Sequence, residues 1–523
     1  MQYMTQINPI SGAAVLLQTL ARQGVDVCFA NPGTTELDLV RALEVSDDMR
    51  CILGLQENVC TGAADGYGRM TGRAAATLLH LGPGFANGIA NLHNARRAHT
   101  PIVNIIGDHM SWHLAYDAPL TSDIESLARP VSGWVYRIRG VDDIAAAAAE
   151  AVAQTQQHGG QGATLIFPAD FQAQGTTSAA PAAAVSAQPV PTSWDLAAAV
   201  QALRRSSKTV FLLGGGGDSS GLSARAQVAV ARICAALGAS AYAETFPSRA
   251  ERGQGLPLFD RLPYFPEPAR AVLDDAQCVV LAGALAPVTY FGYEGHPSLL
   301  VPAERQLVLC QPGEDAASRL EDLAQALQAP PYQAPAAPLP ALPEGELTPA
   351  KVAAVLTRRL PAQAIVSVEG GTCGYPFYAA SGAAAPHTTL TNTGGAIGQG
   401  LPVALGAAIA CPDRRVVALV SDGSTQYTIQ TLWTMAHENL DVVVLVTANH
   451  QYAILRNELR RNGKPLSDKA MAMTALDSPR IDWVALAGSY GVSASRAASA
   501  QALDEALVAA FARRGPTLIE MAL

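Results

Sequence analysis

The feature that most narrows the fold is a set of short, unbroken apolar runs, each followed by a helical pattern. VDVCFA, ATLLHL, PIVNIIG and ATLIFPAD lie in the first part of the chain, TVFLLGG, CVVLAGA and QLVLCQP in the second, and AIVSVEG, RVVALVSDG and VVVLVTAN in the third. A strand that alternates polar and apolar residues keeps one face in water. A continuous Val/Ile/Leu run has no such face, so both sides must be covered. With helices between them, such strands form parallel sheets. The expected fold class is α/β, with three doubly wound domains on mainly parallel sheets.

Two stretches divide the chain. TTSAAPAAAVSAQPVPTS, residues 176–193, is Ala/Pro/Ser-rich without an apolar period, and residues 329–349 carry seven prolines. Neither can sustain a helix or a central strand, so both are expected to be extended connectors. The expected domains are 1–175, 190–330 and 345–523, and a chain of 523 residues suits three domains of ordinary size. With 49% hydrophobic and 15% charged residues, it is a well-buried globular chain. A net charge of -9 and no basic stripe argue against a nucleic-acid partner. No apolar segment reaches the ~18 residues of a membrane span, and MQYMTQINPISG lacks the features of a leader, so a cytoplasmic location and no membrane partner are expected. The eight cysteines are scattered without a C-x-x-C pair, which points to neither zinc nor a disulfide framework.

In parallel α/β sheets, ligands bind beyond the carboxyl ends of the strands. RVVALV ends there in Ser421-Asp422-Gly423-Ser424, and VVVLVT delivers Asn449. A carboxylate, an amide oxygen and a nearby backbone carbonyl form an incomplete set of oxygen ligands. Such a set suits a Mg²⁺ that completes its octahedron with phosphate oxygens. Taken alone, Asp422 reads equally well as a helix cap.

Further segments accompany this one: FANPGTTELDLV and ILGLQENVCTGAADGYGRMTGRAAATLLHLGPGFANG near the N-terminus, and TNTGGAIGQGLPVALGAA before the Asp-Gly-Ser run. In this order they resemble the thiamine diphosphate (ThDP) enzymes, in particular the acetolactate synthase and benzoylformate decarboxylase branches. The resemblance implies pyrimidine-binding, central and diphosphate-binding domains in that order. It implies Mg²⁺ ligation by Asp422, Asn449 and the main chain of Gln451. Gly371, Thr372, Gly423 and Ser424 would lie against the diphosphate. The Gly395 carbonyl would accept from the aminopyrimidine, Ile397 would be the apolar residue over which the cofactor bends, and Tyr452 would stand beside it. It also implies a homodimer or homotetramer with active sites at the subunit interface.

For chemistry, the resemblance implies Glu57 as the proton-sharing partner of the pyrimidine nitrogen. Its setting, ILGLQENVC, is apolar, which disfavours an ionised carboxylate. His80, in LLHLGPG, matches a histidine that protonates the intermediate, and Thr34, in NPGTTE, matches a substrate contact. The implied activity is non-oxidative decarboxylation of a 2-oxo acid, with or without carboligation, through a C2-carbanion/enamine. An acetolactate synthase-type transferase acting on pyruvate is one alternative. A catalytically silent ThDP-binding paralogue is another, favoured by Ser421, Ala448 and His450 where that family is usually smaller or different. No segment resembling the FAD-holding motif occurs in 190–330, so FAD is not expected; LLGGGGDSSG, residues 212–221, lacks dinucleotide spacing and reads as a tight strand-to-helix turn. Thr391 and Glu458, where benzoylformate decarboxylase carries phenylalanines, point to a more polar pocket, and the second active-site histidine is matched only by Gly292, or by His296 with a shift.

Overall fold

Strands form where the apolar runs place them. A computed structural model describes residues 10–44, 48–176, 194–461, 463 and 465–523. The first sheet contains β1 (Val27–Asn31), β2 (Arg50–Leu53), β3 (Ala75–His80), β4 (Ile102–Asp108), β5 (Trp134–Arg137) and β6 (Gly162–Pro168). Its order is β2-β1-β3-β4-β6-β5, parallel throughout. Between β2 and β3 runs helix α1 (Glu57–Thr71), capped by the Gln56 side chain, which accepts from the Val59 N–H, and closed by the left-handed Gly72. Helix α2 (Leu81–Arg97) follows β3. Leu16, Leu20, Cys28, Leu78, Ile105, Leu165 and Phe167 form one apolar core of this unit, on a face of the sheet.

The central sheet has β7 (Thr209–Leu213), β8 (Ser240–Ala243), β10 (Asp260–Arg261), β11 (Cys278–Ala282) and β12 (Gln306–Cys310), in the all-parallel order β10-β8-β7-β11-β12. Strand β9 (Arg249–Arg252) departs from it and pairs antiparallel with the third sheet. That sheet adds β13 (Ile365–Glu369), β14 (His387–Thr391), β15 (Val416–Ser421), β16 (Val442–Ala448), β17 (Ser493–Ala497) and β18 (Thr517–Ala522). Its order is β9-β14-β13-β15-β16-β18-β17, parallel apart from β9. Three α/β domains with predominantly parallel sheets result. Helix α3 (Gly371–Ala380) follows β13, α4 (Gly400–Ala410) precedes β15, and α5 (Ala453–Arg461) follows β16.

The chain packs as two units: Met1–Pro189 with Gly394–Ala410 and Thr428–Glu438, and Val190–Thr393 with Cys411–Tyr427 and Asn439–Leu523. Helix α4 is thus part of the N-terminal unit. It is buried nearly all round, as its lack of a polar face requires. Glycines bring it against α1: a Cβ on Gly66 would lie 2.2 Å from the Val403 carbonyl oxygen, and one on Gly406 1.8 Å from that of Ala63. Of the connector at 176–193, only Thr176 is among the described residues, where it pairs with Ile10. The connector at 329–349 runs without helix or strand until Thr348 caps the next helix, with Pro349 in its first turn. Among the described residues, no helix is long and apolar enough to cross a membrane.

Candidate active site

Strand order reverses within each sheet, and such reversals are where sheets of this kind bind ligands. In the third sheet the reversal lies between β13 and β15. β13 leads through Gly370 into Gly371 and Thr372 at the start of α3, and β15 leads into Asp422. The segment after Asp422 is divided into three parts. These are a helical turn at Asp422–Thr425, a 3-10 turn at Gln426–Thr428, and a helix at Thr431–His437.

Asp422 is buried and accepts the Gly423 N–H at 2.8 Å on one oxygen and the His450 N–H at 2.6 Å on the other. Burial pushes its carboxyl above the ordinary range, opposed by those two amides. Each oxygen retains a lone pair for a cation. His450 adopts the left-handed conformation, φ 54°, which aims its N–H at Asp422. Asn449 donates from Nδ2 to the Thr372 hydroxyl at 3.2 Å and accepts the Gln451 N–H at 3.2 Å. The Gln451 carbonyl accepts from Ala453, and its side chain is held by Arg456. Tyr452 lies over Gly423, where a Cβ would come within 2.6 Å of its ring, so glycine is needed there. Ser424 donates to the Ser421 carbonyl at 3.0 Å. Ser421 lies against Gly370, where a Cβ would meet its hydroxyl at 2.1 Å. Among the described residues no three His, Cys, Asp or Glu side chains converge as a metal site. Asp422, Asn449 and Gln451 offer one carboxylate, one amide oxygen and a backbone carbonyl, hard oxygens of the chemistry that suits Mg²⁺ with phosphate.

In the first sheet the reversal lies between β1 and β3. β3 ends at His80, and β1 leads into the 3-10 turn Thr34–Glu36. His80 Nδ1 lies 2.9 Å from Glu36 Oε2 and 3.1 Å from the Thr35 hydroxyl. The Glu36 side chain has no exposure, and it also accepts the Gly33 N–H at 2.7 Å and the Thr35 hydroxyl at 2.6 Å. This arrangement requires two glycines: a Cβ on Gly33 would fall 2.3 Å from His80 Nδ1, and one on Gly107 1.8 Å from Glu36 Oε1. Thr34 is exposed on the same turn, and it is Thr35 whose hydroxyl reaches the histidine. Glu57, half-buried at the start of α1, accepts from Asn87 at 3.1 Å. A Cβ on Gly84 would stand 3.2 Å from Glu57 Oε1 and 3.3 Å from the His80 Cβ, so the two residues flank one glycine. The apolar residues beside Glu57 are less enclosing than the sequence implies: Leu53 and Leu55 are 40% and 42% exposed.

Gly395 and Ile397 belong to the N-terminal unit, on the loop before α4. Ile397 is 39% exposed, unusual for a large aliphatic residue on a glycine-rich loop. Of the residues read as pocket walls, Thr391 has its hydroxyl committed to the Pro247 carbonyl at 2.7 Å, because β14 lies beside β9. Glu458, on α5, faces a group of Tyr264, Tyr293 and Arg461 and keeps one buried oxygen without a partner. His296 stands 3.5 Å from Glu267, in the central part of the chain. In the run at 212–221, a Cβ on Gly214 would meet the Gly283 carbonyl at 1.9 Å, so close backbone packing accounts for that glycine.

The geometry is that of a doubly wound α/β chain in which Asp422, Asn449 and Thr372 gather at the strand-order reversal of the third sheet, and Glu36 and His80 at that of the first. Residues 10–126 match the thiamine pyrophosphate enzyme N-terminal TPP binding domain, and residues 374–521 match the C-terminal TPP binding domain. The chain is 47% identical to "Putative acetolactate synthase large subunit IlvX" of Mycobacterium tuberculosis, over 98% of this chain and 99% of that one. It is 30% identical to benzoylformate decarboxylase of Pseudomonas aeruginosa, over 96% and 97% of the two chains. The chain belongs to the thiamine pyrophosphate enzyme family. Its fold is that of the thiamine diphosphate-dependent 4-hydroxybenzoylformate decarboxylase of Rhodococcus jostii RHA1, with a TM-score of 0.83, 24% identity, and coverage of 98% of this chain and 99% of that one.

Proposed function

We propose that this protein is a ThDP- and Mg²⁺-dependent enzyme that decarboxylates a 2-oxo acid and either releases or transfers the remaining acyl unit. The observation that carries this reading is the pairing of Glu57 with His80 around Gly84, in a chain that also presents Asp422, Asn449 and Thr372 at a strand-order reversal. Asp422, Asn449 and the Gln451 carbonyl hold Mg²⁺. Gly371, Thr372, Gly423 and Ser424 lie against the diphosphate, while Gly395, Ile397 and Tyr452 contact the rest of the cofactor. When bound there, ThDP would supply a carbon nucleophile and an electron sink for decarboxylation of a 2-oxo acid. Glu57 holds a proton for exchange with the cofactor ring nitrogen.

Glu36 fixes His80 with Nδ1–H toward its carboxylate, which leaves Nε2 to deliver or accept a proton at the reacting centre. Thr34 contacts the substrate from the adjacent turn. The domain boundaries in this reading are 1–175, 190–330 and 345–523, and the enzyme is a homodimer or homotetramer whose sites join two subunits. Glu458, with its unpartnered oxygen, favours a 2-oxo acid that carries a polar group. The resemblance to an acetolactate synthase large subunit favours a second reading, transfer to another carbonyl compound. The test incubates purified protein with ThDP, Mg²⁺ and a panel of 2-oxo acids, measuring CO₂ and identifying the product. Aldehyde supports release and an acyloin supports transfer. If neither CO₂ nor acyloin forms from any acid, the proposal fails.

A further inference from the structure

The loop GGAIGQG, residues 394–400, has four glycines in seven positions, with φ of +78° at Gly395 and +95° at Gly398. Such a segment is costly to hold in one conformation, because glycine loses the most backbone freedom on ordering. It is nevertheless tied down by side chains of the same unit. His93 Nε2 lies 3.1 Å from the Gly394 carbonyl. Asn94 donates from Nδ2 to the Ala396 carbonyl at 2.8 Å and accepts the Ala396 N–H on Oδ1 at 3.1 Å, so one side chain pairs with both polar groups of one residue, as a neighbouring strand would. Asn91 donates to the Gly398 carbonyl at 3.2 Å, and the Thr428 hydroxyl donates to the same carbonyl at 2.9 Å.

The clamp is itself fixed. Asn91 and Asn94 have no exposure, and Asn94 Nδ2 also donates to Asn91 Oδ1 at 3.0 Å. The Asn91 N–H donates to Asn58 Oδ1 at 2.9 Å and its Nδ2 to the Asn58 carbonyl at 2.8 Å, which anchors the pair to α1 one residue beyond Glu57. The loop approaches closely because position 394 is glycine; a Cβ there would fall 2.6 Å from Asn94 Oδ1. The side chains of His93, Asn94, Asn91 and Thr428 thus hold residues 394, 396 and 398 of the same short loop that carries the cofactor-assigned Gly395 and Ile397.

We propose that Asn94, backed by Asn91, is a positioning residue that fixes the 394–398 loop so that the Gly395 carbonyl and the Ile397 side chain are presented to the pyrimidine side of ThDP. The inference rests on the cofactor assignment above. Preorganising a glycine-rich loop removes an ordering cost from binding, and losing two buried hydrogen bonds to one residue weakens that ordering by roughly tenfold.

Asn94→Ala is compared with Asn104→Ala, an equally buried asparagine of the same unit that accepts from Thr77 at 2.8 Å and donates to Thr164 at 3.2 Å on the sheet. Three quantities are measured on the full-length protein: hydrogen exchange of the 394–400 amides in the absence of cofactor, the Kd for ThDP with saturating Mg²⁺, and the Tm. The expected result for Asn94→Ala is about tenfold faster loop exchange and a Kd raised by about tenfold, with neither change in Asn104→Ala at comparable loss of Tm. Loop exchange and Kd at wild-type values in Asn94→Ala, or matching changes in Asn104→Ala, overturn the proposal. Should Asn94→Ala not fold, Asn94→Ser is scored by the same criteria. Wild-type protein that binds no ThDP defeats the cofactor assignment instead, while the exchange measurement still reports on the clamp.

Discussion

Glu36→Gln isolates the role of a buried carboxylate without altering side-chain size. Glu36 accepts from Gly33 and Thr35 and stands 2.9 Å from His80 Nδ1. The least costly placement of the new amide turns its NH₂ toward Thr35, whose hydroxyl can rotate to accept, and keeps its oxygen for Gly33 and His80. Hydrogen bonds to a charged acceptor contribute about 1.5–3 kcal/mol, and neutral ones about 1 kcal/mol. Neutralising the shared acceptor of Gly33 and His80 therefore weakens the hold on the imidazole by roughly 1–2 kcal/mol, or about 5–30-fold in kcat. Steady-state decarboxylation at saturating ThDP should show this loss, with the ThDP Kd little changed because Glu36 does not touch the cofactor assignment. Gly107→Ala tests the same contact from the other side, since its Cβ would lie 1.8 Å from Glu36 Oε1 and must displace that carboxylate. A kcat within twofold of wild type in both folded variants would refute a positioning role for Glu36.

Three other outcomes follow from the same structure. Glu57→Gln should abolish turnover while leaving cofactor binding largely intact, because the proposed function gives Glu57 a proton to exchange and no contact with metal or diphosphate; undiminished turnover would remove it from the mechanism. His387, 2% exposed, is pulled down to about 4 by burial, its Nδ1–H donating to Ala385 at 2.8 Å. An unfolded histidine titrates near ~6.5, so this contribution to stability is complete above that pH and falls away as pH drops toward about 4, by roughly 3 kcal/mol. His387→Phe should flatten the urea midpoint across that window, and parallel slopes for the two proteins would contradict it. Asp65→Ala should cost about 3–5 kcal/mol in chemical denaturation, because it strips the fully buried Arg69 of its bidentate carboxylate; a loss under 1 kcal/mol would mean that the pair contributes little.

The strands were legible because parallel strands buried on both faces announce themselves as unbroken apolar runs. Asp422 and Asn449 were legible because each stands at the end of such a run. Glu36 was not. Thr34, Thr35 and Glu36 are consecutive polar residues, and only the pitch of the 3-10 turn decides which faces His80. A signal existed in Gly33 and Gly107, but the second lies 71 positions from Glu36 and acquires meaning only when β4 is laid beside that turn. Strand β9 was missed for a related reason, since RAER has no apolar pattern and earns its place through pairing with β14. That pairing turns the Thr391 hydroxyl toward Pro247, against its expected place in a pocket wall. His450 stands out in the sequence for its size beside Asn449, yet its backbone performs a definite task by donating to Asp422.

The membership of α4 in the N-terminal unit bears on how the chain is made. Strand β6 of the first sheet is complete by Pro168, whereas the helix that packs against α1 begins at Gly400. More than 200 residues separate them, so at ~5–20 residues per second a ribosome takes roughly 12–46 s to deliver the missing layer. During that interval the part of the small-residue face of α1 built on Ala63 and Gly66 lacks the helix that covers it. Translation speed through the central domain, and any chaperone that shields the nascent first sheet, should therefore govern the yield of folded protein more strongly than the stability of any single sheet.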